Sequence, residues 1–213
     1  MPKVQNRLEV KQNLLAEIKE LQNNLQAFND SPITDLEISQ KKVQKIEALT
    51  VNLENLTPFP RPLTYGSQLL DGAWLLEYST AREIRSLRRL PFGFLVGKIY
   101  QIIDIKTASF ENRAWVKHKT GLLSGYVRIT ATFEPALTEE DRLPNQKINV
   151  NFRQRFIAIT KILGIKTKIL DPLKVLEARN PQGRIPSLDI TYIDETMRIG
   201  RGGDGSLFIL TKA

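Results

Sequence analysis

The sequence predicts a mainly β fold, an antiparallel β-barrel of about eight or nine strands preceded by two amphipathic helices. Three observations carry this prediction: apolar residues recur at steps of three and four near the amino terminus, strict alternation replaces that period further on, and polar turns separate many short segments. The patterns divide the chain into helices at 1–55 that pack on the barrel, a proline-rich linker at 56–68 and a barrel domain at 69–213.

The two helices are predicted from their apolar stripes. The first stripe consists of Leu14, Ile18, Leu21, Leu25 and Phe28, and the second follows a helix start at Pro32 with Leu36, Val43, Ile46, Leu49 and Leu53. We expect both stripes to be buried against the barrel, because amphipathic helices gain most of their stability from such packing. The alternative is a pair that binds a partner or lies on a membrane.

The linker should be extended, because residues 56–66 contain three prolines and a glycine. After it, Val127, Ile129, Ala131 and Phe133 alternate with polar residues, as do Ile148, Val150, Phe152 and Phe156. This alternation predicts an interior face whose candidate ligand-binding residues are Val127, Ile129, Phe133, Val150 and Phe152. Further strands are predicted at 73–78, 94–105, 109–117, 173–178, 188–193, 197–201 and 207–212.

Composition excludes several classes of site. The chain has no cysteine and one histidine, His118, which excludes disulfides, thiolate chemistry and multi-histidine metal sites, and we expect no cofactor. No apolar run approaches the ~20 residues of a membrane-spanning helix. The net charge is +8, and residues 61–130, with 11 basic and 5 acidic residues, contribute +6 of it. Such a surface attracts anionic headgroups, nucleic acid or an acidic protein.

Barrel closure is expected at Gly72 and Trp74, where a glycine permits close backbone approach and an indole can plug one end. Arg198 or Arg201 could lie over this indole, since the first and last strands of a closed barrel are neighbours. The alternative is that both arginines are solvated. The glycines around Asp204 fit a hairpin turn rather than a phosphate loop, because a strand and no helix follows them. Asp194 and Glu195 fit a turn rather than a catalytic pair.

An arginine-rich segment is the most conspicuous surface feature. Its members are Arg82, Arg85, Arg88 and Arg89, which share a helical face, followed by Phe92 and Phe94. Cations beside aromatic side chains suit an anionic membrane interface, so this segment is predicted to be a membrane or partner surface at the barrel mouth. A solvated helix that leads into a core strand is the alternative.

Two strings resemble a known family. Residues 69–81, LLDGAWLLEYSTA, and 188–212, LDITYIDETMRIGRGGDGSLFILTK, are similar to the opening motif and the terminal hairpin of the plastid-lipid-associated proteins, the fibrillins of chloroplasts and cyanobacteria. The helices and the linker match the family's layout, so the resemblance covers about residues 10–212. It implies a lipocalin-like barrel. The arginine-rich segment departs from the family pattern.

The resemblance implies non-enzymatic binding of a hydrophobic molecule, such as a carotenoid, a quinone or another lipid, and peripheral association with thylakoid or lipid-globule membranes. Because no signal or transit peptide is evident, a cyanobacterial protein on the cytoplasmic side of the thylakoid is expected. The alternative is an interaction scaffold with a filled barrel that recruits a prenyl-lipid biosynthetic enzyme. Nucleic acid is not an expected partner, since no aromatic platform motif accompanies the basic charge.

Overall fold

A computed structural model describes residues 2–25, 31–136, 145–178, 183 and 185–213, with all their side chains except those of Pro2, Lys3 and Arg88. In chain order the elements are α1 Pro2–Asn24, β1 Ile33–Thr34, α2 Gln40–Glu54, α3 Pro62–Tyr65, α4 Ser67–Leu70, β2 Gly72–Ser79, α5 Arg82–Ser86, β3 Phe94–Asp104, β4 Ser109–His118, β5 Leu123–Pro135, β6 Lys147–Ile162, β7 Ile165–Lys166, β8 Lys174–Glu177, β9 Ser187–Ile193, β10 Met197–Gly202 and β11 Leu207–Lys212.

Eight antiparallel strands close the barrel, which confirms the predicted fold class. The order around the ring is β2, β3, β4, β5, β6, β9, β10, β11 and back to β2. Three short strands lie outside the ring, since β1 pairs in parallel with β2 while β7 and β8 pair with β6. The contact of β6 with β9 is confined to Lys147–Asn149, so the remainder of the β5–β6 hairpin extends beyond the closed ring.

The two long helices cover the outer face of the closing strands. Their buried residues are Leu14, Ile18, Leu21, Ile46 and Leu53, and they pack with Tyr78, Tyr192, Met197, Ile199, Leu207 and Ile209 of the barrel wall. The first stripe thus lies where the helical spacing places it. Leu25, at its end, is exposed, and Phe28 lies outside the described residues.

The start predicted for the second helix is wrong. Ile33–Thr34 pair with Tyr78 and Ser79 as β1, a 3₁₀ turn occupies Asp35–Glu37, and α2 begins only at Gln40. The segment next to Pro32 is buried against the barrel, so its backbone gains hydrogen bonds from β2 that a helix would forgo. Leu36 is therefore exposed instead of sharing the buried helical face.

The proline-rich linker is not extended throughout. It forms two short helices, α3 and α4, and Pro62 stands at the first position of α3, where its missing N–H costs nothing. Phe59, Leu63 and Leu69 pack against the barrel core. The segment thus contributes to the packed end of the barrel.

The alternation predicted along β6 reverses after Phe152. Ala131 pairs with Phe152 but Thr130 pairs with Gln154, so one residue of β6 is extra at this point. A β-bulge of this kind exchanges the two faces of the strand that follows. Phe156 is consequently on the outer face, where the Arg128 guanidinium lies 4.1 Å from its ring centroid, and its predicted inward position is wrong.

Helix α1 is attached to the turn between β9 and β10 through Asp194. The carboxylate lies 2.6 Å from Lys11 Nζ, and it accepts hydrogen bonds from the Tyr192 hydroxyl at 2.6 Å and the Met197 N–H at 2.8 Å. Burial alone would raise the pKa of Asp194, but the hydrogen bonds from Lys11 and Tyr192 outweigh it and hold that pKa below its ordinary value. The carboxylate is therefore a structural anchor, as its turn position suggested.

The Asp194 anchor should make stability depend on pH. A carboxyl group whose pKa is lower in the folded state stabilises the fold above its unfolded pKa of ~3.9, and this contribution is lost as pH falls through the folded value. Asp194→Asn should lower the free energy of unfolding at pH 7 by about 1–3 kcal/mol and should flatten its decline below pH 4. Urea unfolding at several pH values measures both effects. The exposed neighbour Glu195→Gln is the control, and equal pH dependence in Asp194→Asn and wild type would contradict the assignment.

Candidate functional site

The interior of the barrel is filled by side chains. The buried residues that fill it are Leu70, Trp74, Leu76, Val96, Ile99, Ile103, Phe110, Ala114, Ala131, Ile148, Val150, Ile190, Ile193 and Leu210. A cavity of about 20 Å³ lies among them. This volume admits one water-sized group, whereas pockets for drug-sized ligands measure about 300–1,000 Å³.

The predicted interior residues divide into two groups. Val150 is buried in this core, and Phe133 and Phe152 pack against it from partly buried positions. Val127 and Ile129 lie on the same face of β5, opposite Ala114 and Asn112 of β4, but both are only half-buried. Of the five, Phe133 alone lines the cavity.

Trp74 is fully buried at the start of the first barrel strand, and its indole N–H donates to the carbonyl of Leu70 at 2.8 Å. Gly72 has φ +96°, and a Cβ there would meet Lys212 Nζ at 3.4 Å. A side chain at this position would therefore be strained by the positive φ, although its Cβ would make only an ordinary contact with the lysine. The Gly-x-Trp pattern thus marks the point where β2 meets β3 and β11.

Two cations lie over the Trp74 ring. The Arg198 guanidinium carbon is 5.2 Å from the ring centroid and Lys212 Nζ is 4.3 Å from it, both within cation–π range. Arg198 is 3% exposed and donates to Gln101 Oε1. Burial lowers the pKa of Arg198 to about 9, so the side chain remains charged at neutral pH. Arg198 and Arg201 were the two candidates expected over the indole, and Arg198 occupies that position.

Arg201 points to the other side of the barrel wall. Its guanidinium contacts Glu54 at 2.8 Å and Glu47 at 2.7 Å, both in α2, and the hydrogen bond that it donates to Glu54 in particular raises the pKa of Arg201. Thr191 donates to the same Glu54 carboxylate at 2.6 Å. Arg201 is therefore neither solvated nor over the indole, and it attaches α2 to the barrel.

The arginine-rich segment does not form one α-helical face. Helix α5 ends at Ser86 and Leu87–Arg89 continue as a 3₁₀ turn, whose tighter winding changes the direction of the later side chains. Arg85 forms an ion pair with Asp35 and its Nε lies 2.7 Å from that carboxylate. Arg82 and Arg89 are exposed, whereas the Arg88 side chain lies outside the described atoms.

The two phenylalanines of the segment have different surroundings. Phe92 is 87% exposed and has φ 60°, a left-handed conformation that is rare for a bulky residue. Phe94 is half-buried, and its ring makes an edge contact with His118 at 5.4 Å between centroids. Phe92 therefore fits a contact surface, and Phe94 forms part of the wall.

A second exposed surface was predicted from the sequence only at Phe92. It lies at the open end of the β5–β6 hairpin, where β5 begins and β6 ends. We call it the apolar rim: Phe92, Leu122, Leu163, Ile165 and Ile169. All five residues are exposed, Ile169 to 90%. Monomeric proteins rarely expose contiguous apolar residues without a use for them.

Backbone hydrogen bonds bring the rim residues together. The Lys119 N–H donates to the Gly93 carbonyl at 3.0 Å and thus places Phe92 beside the β4–β5 turn. The Leu163 N–H donates to the Leu122 carbonyl at 2.7 Å and joins that turn to the β6–β7 turn. Ile159 donates to the carbonyl of Leu170 at 2.9 Å, which holds Ile169 at the same end. The rim is therefore one surface assembled from three loops.

Cations surround the rim. Residues 84–103, 112–133 and 145–170, which supply the rim and the strands beneath it, contain 14 Lys and Arg and no Asp or Glu. Some of these cations form ion pairs with carboxylates outside the ranges, among them Arg85 with Asp35, and Arg113 and Arg128 with Glu111. Five exposed lysines lie in or beside the rim loops: Lys117, Lys119, Lys161, Lys166 and Lys168. In the segment KILGIKTKIL at 161–170, lysines alternate with Ile and Leu, a pattern typical of a basic, apolar binding surface. The same pattern also fits the end of a core strand, so the sequence alone does not distinguish the two.

The described part of the chain has no helix long and apolar enough to cross a membrane. Within that same part, His, Asp and Glu residues nowhere gather in a group of three that could hold a metal ion. The chemically notable groups of the barrel are the buried Arg198 and the half-buried Lys212 at Trp74, together with the apolar rim and the lysines around it.

Comparison with known proteins identifies the family. The PAP_fibrillin family model matches residues 9–211. The chain is 30% identical over 208 residues to a chromoplast-specific carotenoid-associated protein of Cucumis sativus, with 83% of this chain and 62% of the relative covered. It is 31% identical over 169 residues to plastid-lipid-associated protein 6 of Arabidopsis thaliana, with 72% and 56% covered.

A light-induced chloroplastic protein of Solanum tuberosum is 27% identical over 206 residues, with 82% of this chain and 61% of the relative covered. The chain therefore spans about three fifths of the length of these curated relatives. No solved structure matches it. The family match covers α1 from Glu9 onward, α2, the linker and every barrel strand up to Thr211, so the chain belongs to the PAP_fibrillin family of plastid-lipid-associated proteins.

Proposed function

We propose that this protein is a non-enzymatic, peripheral lipid-associated protein that docks on an anionic lipid surface through the apolar rim. The observation that carries the proposal is the exposure of five large apolar side chains within an end of the barrel whose three segments lack Asp and Glu. Relatives named as carotenoid-associated and plastid-lipid-associated proteins support it. Their chloroplastic and chromoplastic names support a plastid-type compartment, and within it we propose a thylakoid membrane or a lipid globule as the surface.

Both the apolar rim and the lysines around it contribute to binding. Full burial of one Leu, Ile or Phe side chain contributes about 1.5–3 kcal/mol, and each Lys near an anionic surface contributes about 1 kcal/mol. Long-range attraction brings the protein to the headgroups, and the apolar side chains then enter the acyl boundary. The exposed Arg82 and Arg89 lie on the adjoining arginine segment and can add to the attraction, while Arg85 is occupied by Asp35.

The filled interior changes where a hydrophobic ligand would bind. A cavity of about 20 Å³ does not enclose a carotenoid or a quinone, so such a molecule would be met at the lipid surface rather than carried in the barrel. The same observation favours a second candidate function, a scaffold that recruits a prenyl-lipid biosynthetic enzyme to the lipid. The two functions are distinguished by whether this protein binds vesicles on its own, in the absence of any other protein.

Sedimentation with vesicles of a neutral phospholipid, with and without phosphatidylglycerol, tests the proposal. Wild type should sediment with the anionic vesicles at low salt and less at high salt, since exposed charges are screened beyond about 10 Å at 0.1 M ionic strength. Replacing Lys161, Lys166 and Lys168 by glutamine should weaken binding about 100-fold, from three losses of about 1 kcal/mol each. Leu163→Ser, Ile165→Ser and Ile169→Ser together should abolish it.

Matched variants use equally exposed residues elsewhere on the chain. The charge control replaces Lys19, Lys41 and Lys106 by glutamine, and the apolar control combines Leu36→Ser with Tyr65→Ser. Both controls should sediment like wild type. If the rim variants and the controls sediment alike, the rim is not the docking surface, and if wild type ignores both kinds of vesicle, the scaffold function is favoured.

A further inference from the structure

The barrel interior contains a cation without a carboxylate partner. Arg198 pairs along the sheet with Leu210 and Ile193, both of the interior core, so its side chain enters the barrel with theirs. Among the described residues no carboxylate forms an ion pair with it, and burial lowers its pKa with no carboxylate to oppose the change. A buried charge normally requires a partner of opposite sign, because the lost hydration is costly.

The neutral contacts of Arg198 do not supply that charge. The guanidinium donates to Gln101 Oε1, and the Gln101 amide in turn donates to Asn112 Oδ1 at 3.0 Å. The Trp74 ring offers only its quadrupole. Since a guanidinium has five N–H donors in a planar fork, donors remain for a further acceptor.

The cavity lies where such an acceptor would have to bind. Arg198 and Gln101 supply its polar lining, and the other lining residues are apolar: Leu70, Ile103, Phe110, Phe133, Ile148, Leu188 and Ile190. Its volume of about 20 Å³ admits one small group beside the guanidinium. The apolar lining lowers the local dielectric and thereby strengthens the attraction of Arg198 for an anion.

A second cation adds to the positive potential. Lys212 lies over the same indole and donates to the carbonyl oxygen of Leu69 at 3.2 Å and to that of Asp71. Burial lowers the pKa of Lys212, the Asp71 carboxylate opposes this change, and the charge of Arg198 lowers it further. The two cations are therefore close enough to repel each other, and an anion beside Arg198 would offset this repulsion.

We propose that the barrel interior binds one compact anion, a halide or a carboxylate, against the Arg198 guanidinium. The carboxylate could be a free ion or the head of a fatty acid, whose chain would then displace apolar side chains of the lining. No residue of the apolar rim lines this cavity, so the proposal stands or falls separately from lipid docking.

Thermal unfolding in increasing sodium formate and sodium chloride tests the site. Ligand that binds only the folded state raises the unfolding midpoint, by about 3–6 °C for each tenfold increase above its Kd in a chain of this size. Leu188→Phe fills the cavity and leaves every charge in place, so salt effects unrelated to the site are common to it and wild type. The wild-type midpoint should rise more steeply than that of Leu188→Phe or of Arg198→Met.

Equal slopes in wild type and Leu188→Phe would overturn the proposal. If Leu188→Phe does not fold, crystals of wild type grown in sodium bromide test the site instead. An anomalous peak from bromide should then lie at the Arg198 guanidinium, and a map without that peak would also overturn the proposal. Calorimetry with dodecanoate identifies the source. Binding of one dodecanoate that formate competes away indicates a lipid headgroup, whereas a formate effect without dodecanoate binding indicates a free anion.

Discussion

Replacing Trp74 by alanine should lower the free energy of unfolding by about 3–5 kcal/mol, the range for truncation of a large buried aromatic side chain. The indole is fully buried among residues of β2, β3 and β10, and truncation leaves a cavity beside the charged Arg198. It also removes the hydrogen bond to the Leu70 carbonyl. Because 1 kcal/mol corresponds to about 2–4 °C in a protein of this length, the thermal midpoint should fall by roughly 6–20 °C.

The second tryptophan provides the control. Trp115 is 39% exposed on the outer face of β4, where its ring makes an edge contact with Tyr126 at 5.7 Å between centroids. Trp115→Ala should cost roughly 1 kcal/mol, as expected of a half-exposed position. Circular dichroism follows both variants without relying on tryptophan fluorescence. A midpoint for Trp74→Ala close to that of Trp115→Ala would show that the indole is not a structural centre of the barrel.

The strands of this barrel could be predicted because each has one buried and one exposed face. The alternation at Ala131 and Phe133, and at Ile148 and Val150, follows from that asymmetry and is independent of distant contacts. Predicting which strands pair and where the ring closes required a second kind of signal, the Gly-x-Trp start and the terminal hairpin. A closed barrel makes its first and last strands neighbours, which indicated that β2 and β11 meet.

The errors arise where tertiary contacts override local pattern. Pro32 marks a plausible helix start, but a parallel pairing with β2 makes the next residues a strand. Phe156 matches the inward period until the bulge at β6 reverses it. Neither the pairing nor the bulge leaves a mark in a single sequence, because both depend on which strand lies alongside.

The arginine-rich segment departs from its predicted helical face for a related reason. Arginine spacing suggested a helical face, but α5 is a single short helix and Asp35 neutralises Arg85. Ile165 and Ile169, by contrast, resemble core residues in sequence, and only their exposure beyond the closed ring distinguishes them. An apolar segment is part of the core where another element of the fold covers it, and it is an exposed surface where none does. Its sequence alone does not say which case holds.

The bulge between Ser124 and Gly125 leads to the second large effect. Gly125 is buried on β5, and a Cβ there would lie 1.8 Å from the carbonyl oxygen of Ala158 on β6, far inside van der Waals contact. Relief requires the two strands to separate, which would break ladder hydrogen bonds at the base of the β5–β6 hairpin. Gly125→Ala should therefore lower the free energy of unfolding by about 3 kcal/mol, the upper part of the range for overpacked positions.

Gly97 is the matched control for this prediction, because it also lies at a register shift, between Val96 and Ile99 of β3. A Cβ at Gly97 would meet the Trp115 carbonyl at an ordinary 3.7 Å, so Gly97→Ala should change stability by less than about 0.5 kcal/mol. Urea unfolding compares the two variants. Stability of Gly125→Ala equal to that of Gly97→Ala would show that β5 and β6 do not approach so closely. Because the same hairpin positions Leu122 and Leu163, Gly125→Ala should also bind anionic vesicles less well than wild type, even where it remains folded.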